Sequence, residues 1–311
     1  MRGENLVTWE IMMDDLVSIV ITTYKRPPEM LKRSLESAIN QSYHNIEIII
    51  VDDSPSDYPE RELVGKMIES YSLKDNKITY IKHKQNLGAC AARNTGLRNA
   101  KGVFINFLDD DDELVNNKIE KQLNILVNNQ ELAYVYCKCF VFYENTGKKY
   151  IERKHMHSGM IYEKLLVENF VGTTSFPLIR KEHLIEEGGF DTLLPACQDY
   201  DMWIRLSKNH PVSYIDEPLV VYHYHDGDQI SKNPQKRIIG MLRVISKNSE
   251  YLNKHRDIWA LNQRKLILEY ARNGEQSIAF FLLLKCILKD PKGVKGNLKS
   301  IKTIIQSFWK N

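Results

Sequence analysis

The chain has 311 residues, 43% of them hydrophobic, and its 43 basic and 40 acidic side chains leave a formal charge of +3. That length exceeds a typical single domain, and the apolar content argues against a chain dominated by disorder. So balanced a charge carries no signature of a nucleic-acid partner, and five cysteines without paired CxxC spacing argue against a disulfide framework or a structural zinc site.

The opening stretch MRGENLVTWEIMMDDL carries acids and has no basic start ahead of an unbroken apolar core, so a signal peptide is not expected. The longest apolar stretch, Ile278 to Leu284, is far short of the roughly 20 residues that span a bilayer. The expectation is a cytoplasmic protein with reduced thiols, soluble or peripheral at the inner face of the membrane.

From Val17 to Asp112 apolar runs alternate with helix-period segments, the pattern of a mostly parallel sheet covered by helices, an α/β fold. Four strands are predicted: Val17–Thr23, Ile46–Val51, Ile78–His83 and Val103–Leu108. Leu31, Leu35, Ala38 and Ile39 share one helix face; Leu63, Val64, Met67, Ile68 and Tyr71 share another, with Pro59 suited to its first turn. The small residues of Gly88–Ala100 allow a helix to approach the sheet or a ligand closely.

After Asp112 a helix is expected over Lys118–Asn128, then a long strand, Leu132–Tyr143, and a turn at Asn145–Gly147. Cys137 and Cys139 fall on one face of that strand, in the core, and His155 and His157 are read as surface residues. There follow a helix at Met160–Asn169, a strand at Thr174–Arg180, a short helix ended by Gly188–Gly189, a helix at Gln198–Lys208 and strands up to His225. Beyond Pro234 only helices are expected. The tail from Ile278 carries seven lysines and one aspartate among Phe280, Phe281, Leu282, Ile301, Ile304, Ile305, Phe308 and Trp309. That basic amphipathic pattern suits an anionic membrane surface, and equally a helix packed on the catalytic domain with a solvated lysine face.

The strongest local feature is five consecutive acids, Asp109-Asp110-Asp111-Asp112-Glu113, directly after a buried strand. Adjacent carboxylates repel, so such a run is costly unless a cation or hydrogen-bond donors offset the charge. A hard divalent ion, Mg²⁺ or Mn²⁺, is the natural occupant together with a diphosphate. Open α/β sheets bind ligands at the carboxyl ends of their strands, where this run falls. Asp52-Asp53 ends the second strand in the same way, and Thr22 and Tyr24 end the first.

Six segments in order, SIVITTYKRP, VDDSPSD, NLGACAARNTGL, FLDDDDE, GGFD and QDYDMWIRL, resemble glycosyltransferase family 2, the inverting enzymes of GT-A fold, over roughly residues 16–231. The resemblance implies a nucleotide-sugar-binding half at 16–112, an acceptor half at 113–231, an N-terminal extension at 1–15 and a helical, basic region at 232–311. Thr22, Tyr24 and Asp53 would hold nucleobase and ribose, and Arg93 would lie near the nucleotide, a surface salt bridge being its competing role. Asp109-Asp110-Asp111 looks like the DXD signature, with Asp110 near the ribose and Asp111 as metal ligand, joined by His225 in preference to His223.

Asp199 matches the family's catalytic base, although Gln198 stands where glutamate is usual and Asp201 lies close by. Trp203 is read as structural. The implied reaction takes a hexose or N-acetylhexosamine from a nucleotide-sugar, a UDP-sugar foremost, to a hydroxyl of a glycan or lipid-linked sugar, in bacterial surface polysaccharide synthesis, with inversion and Mn²⁺ or Mg²⁺. The competing readings are a non-catalytic nucleotide-sugar-binding scaffold and a sugar nucleotidyltransferase, whose glycine-rich, arginine-bearing N-terminal loop is missing after Met1. The sequence leaves the donor sugar, the acceptor, the linkage and the oligomeric state open.

Overall fold

In the computed structural model, residues 14–73, 77–225 and 233–308 are described, with side chains excepted at 294–295 and 307–308. Most of the expected N-terminal extension, the expected boundary at 231/232 and Trp309 lie outside them. The chain divides into two compact units: residues 1–162, 170–192 and 202–226 form the first; 163–169, 193–201 and 227–311 form the second. Two short segments that the sequence places in the acceptor half therefore group with the C-terminal helices.

The first unit is built on a nine-stranded sheet. Its strands are β1 (Val17–Thr23), β2 (Ile46–Asp52), β3 (Ile78–Lys82), β4 (Phe104–Asp109), β5 (Glu113–Leu114), β6 (Tyr134–Tyr143), β7 (Lys148–Ile151), β8 (Leu178–Arg180) and β9 (Ser213–Tyr224). The order is β3-β2-β1-β4-β8-β6-β9-β5, with β7 hairpinned onto β6. β3, β2, β1 and β4 run parallel. β8 is antiparallel to both β4 and β6, and β9 is parallel to β6.

β1, β2 and β4 are continuous apolar runs because both faces of a parallel sheet are covered. On one side lie α1 (Pro28–Ile39) and α2 (Arg61–Ser72), burying Leu31, Leu35, Ala38, Val64 and Ile68 in one cluster with Ile19, Ile21, Ile48 and Ile50. Alternation puts Val20 on the opposite side, where α3 (Ala89–Asn99) packs. A Cβ at Gly96 would stand 2.2 Å from Val20 Cγ1, so α3 rests almost backbone-to-sheet.

α4 (Lys118–Val127), α5 (Tyr162–Val167), α6 (Lys181–Glu186) and α7 (Gln198–Asn209) complete the pattern up to β9. α7 carries the unit boundary between Asp201 and Met202. Trp203 is wholly buried and donates from Nε1 to the Gly172 carbonyl at 2.9 Å, the structural role expected. All five cysteines are free, and Cys137 and Cys139 sit in the core.

Four local expectations need correction. The strand expected over Thr174–Arg180 begins only at Leu178; Thr173–Phe176 forms a turn whose hydroxyls serve the acid run. The helix expected over Met160–Asn169 is confined to Tyr162–Val167. Leu63 is exposed: of the apolar residues of α2, Val64 and Ile68 are the ones turned fully inward. His157 is not a free surface residue: its ring meets Phe170 edge-on at 4.7 Å.

The second unit contains α8 (Pro234–Lys247), α9 (Ser249–Lys254), α10 (Arg256–Arg272), α11 (Gln276–Lys289) and α12 (Val294–Phe308). Ile267 and Ala271 of α10, Ala279, Leu283 and Cys286 of α11 and Ile304 of α12 form its own small core.

Candidate active site at the strand ends

The carboxyl ends of β1, β2 and β4 lie level, because Thr22 pairs with both Val51 and Asp109 and Thr23 with Asp52. Three acidic or hydroxyl-bearing strand ends are thereby brought to one edge. β1 ends abruptly: Lys25 adopts φ +50 and its amide donates to Ser54 Oγ at 2.8 Å, tying the β1 end to the turn after β2. Tyr24, beside it, is 43% exposed, with Lys25 Nζ 5.5 Å from the centre of its ring.

At the β2 end, both acids are satisfied by donors. Asp52 accepts from Ser54 N at 2.9 Å, Arg61 Nε at 3.2 Å and the Tyr80 hydroxyl at 2.6 Å. Asp53 accepts from the amides of Leu87 and Gly88, each at 2.8 Å, and His83 Nδ1 lies 2.7 Å away. Asp53, buried, thus organises the loop entering α3.

The five-acid run behaves differently, because the turn after β4 sends its members in separate directions. Asp109 Oδ1 accepts from Arg93 Nη2 at 2.8 Å and from Thr174 Oγ1 at 3.0 Å. Arg93 therefore makes the salt bridge that competed with its nucleotide role, at the strand ends rather than on a remote surface. Asp110 and Asp111 share the guanidinium of Arg26, through Nε at 2.9 Å and Nη2 at 2.8 Å respectively. Asp111 Oδ2 also lies 3.0 Å from His225 Nε2, so the two residues expected as metal ligands meet. Asp112 turns into the interior, accepting from Ser175 Oγ at 2.6 Å, while its carbonyl accepts from Ser34 Oγ at 2.6 Å. Glu113 starts β5 and takes His223 Nε2 at 2.6 Å, which leaves His225 as the histidine at the aspartates.

Burial raises the Asp110 carboxyl to about 6; the charge of Arg26 opposes this and that of Asp111 adds to it. Burial, then the charges of Asp111 and Asp109, hold Asp112 well above the ordinary carboxyl range. Arg26 is held above its ordinary value although burial opposes its charge, because Asp110 and Asp111 surround it. The crowded carboxylates are thus only partly compensated by the protein's own cation. A carboxylate oxygen and an imidazole nitrogen converging at Asp111 and His225, both largely buried, fit a divalent ion. A second convergence, His183, Glu186 and His210, has ligand atoms within 4.8 Å of one another, but its Glu186 faces solvent and lies 2.9 Å from His183 Nδ1, three residues before it on the same helix.

Sequence reasoning missed Arg26, Thr174 and Ser175. Arg26 lies inside a recognised motif, yet its reach across 84 residues to Asp110 is tertiary. The GGFD segment also acquires a physical reason. Asn94 of α3 clamps Phe190, accepting from its amide and donating to its carbonyl, both at 2.8 Å. Gly189, at φ +73, leaves no room for a Cβ, which would stand 2.6 Å from Asn94 Oδ1. Phe190 meets Phe107 of β4 edge-on at 5.0 Å, so this clamp fixes α3, and Arg93 with it, against the acid-bearing strand.

Asp199 lies in the second unit, in the first turn of α7, where its Oδ1 accepts from the Tyr200 amide at 2.7 Å. Within the same unit its neighbour Asp201 is buried and paired with Lys247 Nζ at 2.7 Å. Gln198 donates to the Leu194 carbonyl at 3.0 Å.

The sequence profile described as Glycosyl transferase family 2 matches residues 18–188, more than half of the chain. The chain belongs to glycosyltransferase family 2. An uncharacterised glycosyltransferase of Haemophilus influenzae is 32% identical over 306 residues, covering 92% of this chain and 99% of the relative. A glycosyl transferase of Escherichia coli named for colanic acid biosynthesis, WcaA, is 29% identical over 253 residues, covering 78% and 82%. Among solved structures, residues 1–349 of Staphylococcus aureus TarS in complex with UDP-GlcNAc superpose with a TM-score of 0.62 at 16% identity, covering 94% of this chain and 81% of that one. That similarity bears out the expected GT-A fold with its helical C-terminal region. The protein is a glycosyltransferase, and the family membership excludes the nucleotidyltransferase reading.

Proposed function

We propose that this glycosyltransferase moves a hexose or N-acetylhexosamine from a UDP-sugar to a hydroxyl of a glycan or lipid-linked acceptor, with inversion and with Mn²⁺ or Mg²⁺. The observation that carries the reading is the meeting of Asp111 and His225 beside Asp109 and Asp110, at the level ends of β1, β2 and β4. A bound divalent ion would offset charge on the departing diphosphate. Asp111 and His225 would hold that ion, and Asp110 would face the ribose. Tyr24, exposed at the end of β1, offers its ring to the nucleobase, with Thr22 beside it and Asp53 shaping the pocket floor through the Leu87–Gly88 amides. Arg93, held at Asp109, supplies positive charge for the nucleotide.

Asp199 is the general base by its match to the family motif: it accepts the acceptor hydroxyl's proton as that oxygen attacks the anomeric carbon. Asp201, the other acid of that first turn, is buried and paired with Lys247. A UDP-sugar is favoured because the structural neighbour TarS was solved with UDP-GlcNAc, and a surface polysaccharide is favoured by the name of the Escherichia coli relative.

The test is a panel of nucleotide-sugars scored for metal-dependent hydrolysis and transfer. One UDP-sugar should be turned over with Mn²⁺ or Mg²⁺ and not after chelation. Asp199→Asn should lower transfer by about 100-fold or more while donor binding, followed by calorimetry, persists. Transfer that survives Asp199→Asn, or a donor carrying a different base, would overturn the corresponding part of the reading.

A further inference from the structure

α11 is apolar on two opposite faces. Ala279, Leu283 and Cys286 pack into the small core of the second unit. At 100° per residue, Phe280, Phe281, Leu284, Ile287 and Leu288 fall together on an arc of about 120° on the other side. All five are exposed, Leu288 at 82%, Phe281 at 56% and Phe280 at 54%. A helix that needs only to hold its unit together has no use for this second face, and contiguous exposed apolar patches mark interaction sites.

Lysine flanks the patch. Lys285 lies next to the apolar arc with its ammonium 4.4 Å from the centre of the Phe281 ring; exposed Lys289 follows one turn on, its ammonium 4.3 Å from the centre of the Trp259 ring of α10. Over residues 276–308 there are six lysines and one acid, Asp290, and that acid is paired with Arg264 at 2.6 Å. α12 repeats the composition more weakly, with Leu298 and Ile305 exposed two turns apart and Lys302 between them. No helix of the described residues is long and apolar enough to cross a bilayer.

We propose that the exposed face of α11 docks the protein onto an anionic lipid surface, lying in the plane of the interface with Phe280, Phe281, Leu284, Ile287 and Leu288 immersed among the acyl chains. The flanking lysines reach back to the headgroup phosphates, as long basic side chains do at such boundaries. Charge favours an anionic lipid over a second copy of the chain, since a second copy would bring the same excess of lysine over residues 276–308. Docking does not depend on which donor or acceptor the enzyme uses.

Co-sedimentation of the full chain with vesicles tests the proposal. The protein should pellet with vesicles containing phosphatidylglycerol, much less with phosphatidylcholine alone, and release at high salt. Phe281→Glu with Leu288→Glu should weaken partition about tenfold or more, with the circular dichroism spectrum unchanged. Lys285→Gln and Lys289→Gln, which leave the apolar arc intact, should each weaken it about fivefold. Wild-type protein that stays in the supernatant with anionic vesicles overturns the proposal. So does a dimer seen by light scattering without lipid and lost in Phe281→Glu with Leu288→Glu, because the patch would then be a contact between copies.

Discussion

Two acidic turns follow parallel strands of one sheet, and they are built to different ends. After β2, Asp52 and Asp53 receive two backbone amides from the next loop, one amide from their own turn, a guanidinium, a phenol and an imidazole. After β4, Asp109, Asp110 and Asp111 depend on two arginines, two threonines and a histidine, and burial and mutual repulsion push Asp110 and Asp112 upward. Donors complete the first turn, while the second retains charge that an incoming cation would stabilise. The acid pair after β2 and the acid run after β4 are separated by how many N–H and O–H groups the fold aims at each carboxylate.

If this contrast holds, damage at the first turn should appear as instability. Asp52→Ala leaves Arg61 Nε and the Tyr80 hydroxyl without their acceptor and the buried guanidinium without its counter-ion, its Nη2 keeping only backbone carbonyls. It should cost about 3–5 kcal/mol in urea unfolding, with activity falling only as the folded fraction falls. Damage at the second turn should appear as lost chemistry. Asp111→Asn should reduce transfer about 100-fold or more, equivalent to roughly 3 kcal/mol, while the unfolding midpoint barely moves. An unfolded Asp111→Asn, or a stable and inactive Asp52→Ala, would reverse the assignment.

The smallest effect belongs to Asp112, which sits in the second turn but faces the interior. Asparagine keeps the acceptor for Ser175 and removes a charge that burial disfavours. A carboxyl whose folded value is raised contributes stability at low pH that is lost as pH rises. Asp112→Asn should therefore match the wild type near pH 4 and become the more stable of the two, by roughly 1 kcal/mol, toward neutral pH in the presence of a chelator. A mutant less stable than the wild type at every pH would show that Asp112 is held as a needed anion.

The parallel strands and the level of their ends were legible, because β1, β2 and β4 are buried on both faces and so read as unbroken apolar runs with polar terminations. Asp111, His225, Asp109 and Arg93 meet as paired groups that single motifs could only suggest separately. The division of the five-acid run was not legible: a turn has no period, so adjacency in sequence says nothing about which carboxylate faces the cleft. Thr174 and Ser175 fall within the strand expected over Thr174–Arg180; only the hydroxyls' partners on Asp109 and Asp112 reveal the turn. The grouping of residues 163–169 and 193–201 with the C-terminal helices rests on long-range packing that no local pattern records.

The missing side chain at residue 96 makes α3 a gauge of distance. With nothing between helix axis and strand, Val20 itself sets the spacing. One methyl group added there would lift the helix outward, and Arg93, three residues earlier, would travel with it away from Asp109. A lesion that alters no carboxylate would then resemble a binding defect, with each reactive group intact and simply out of reach.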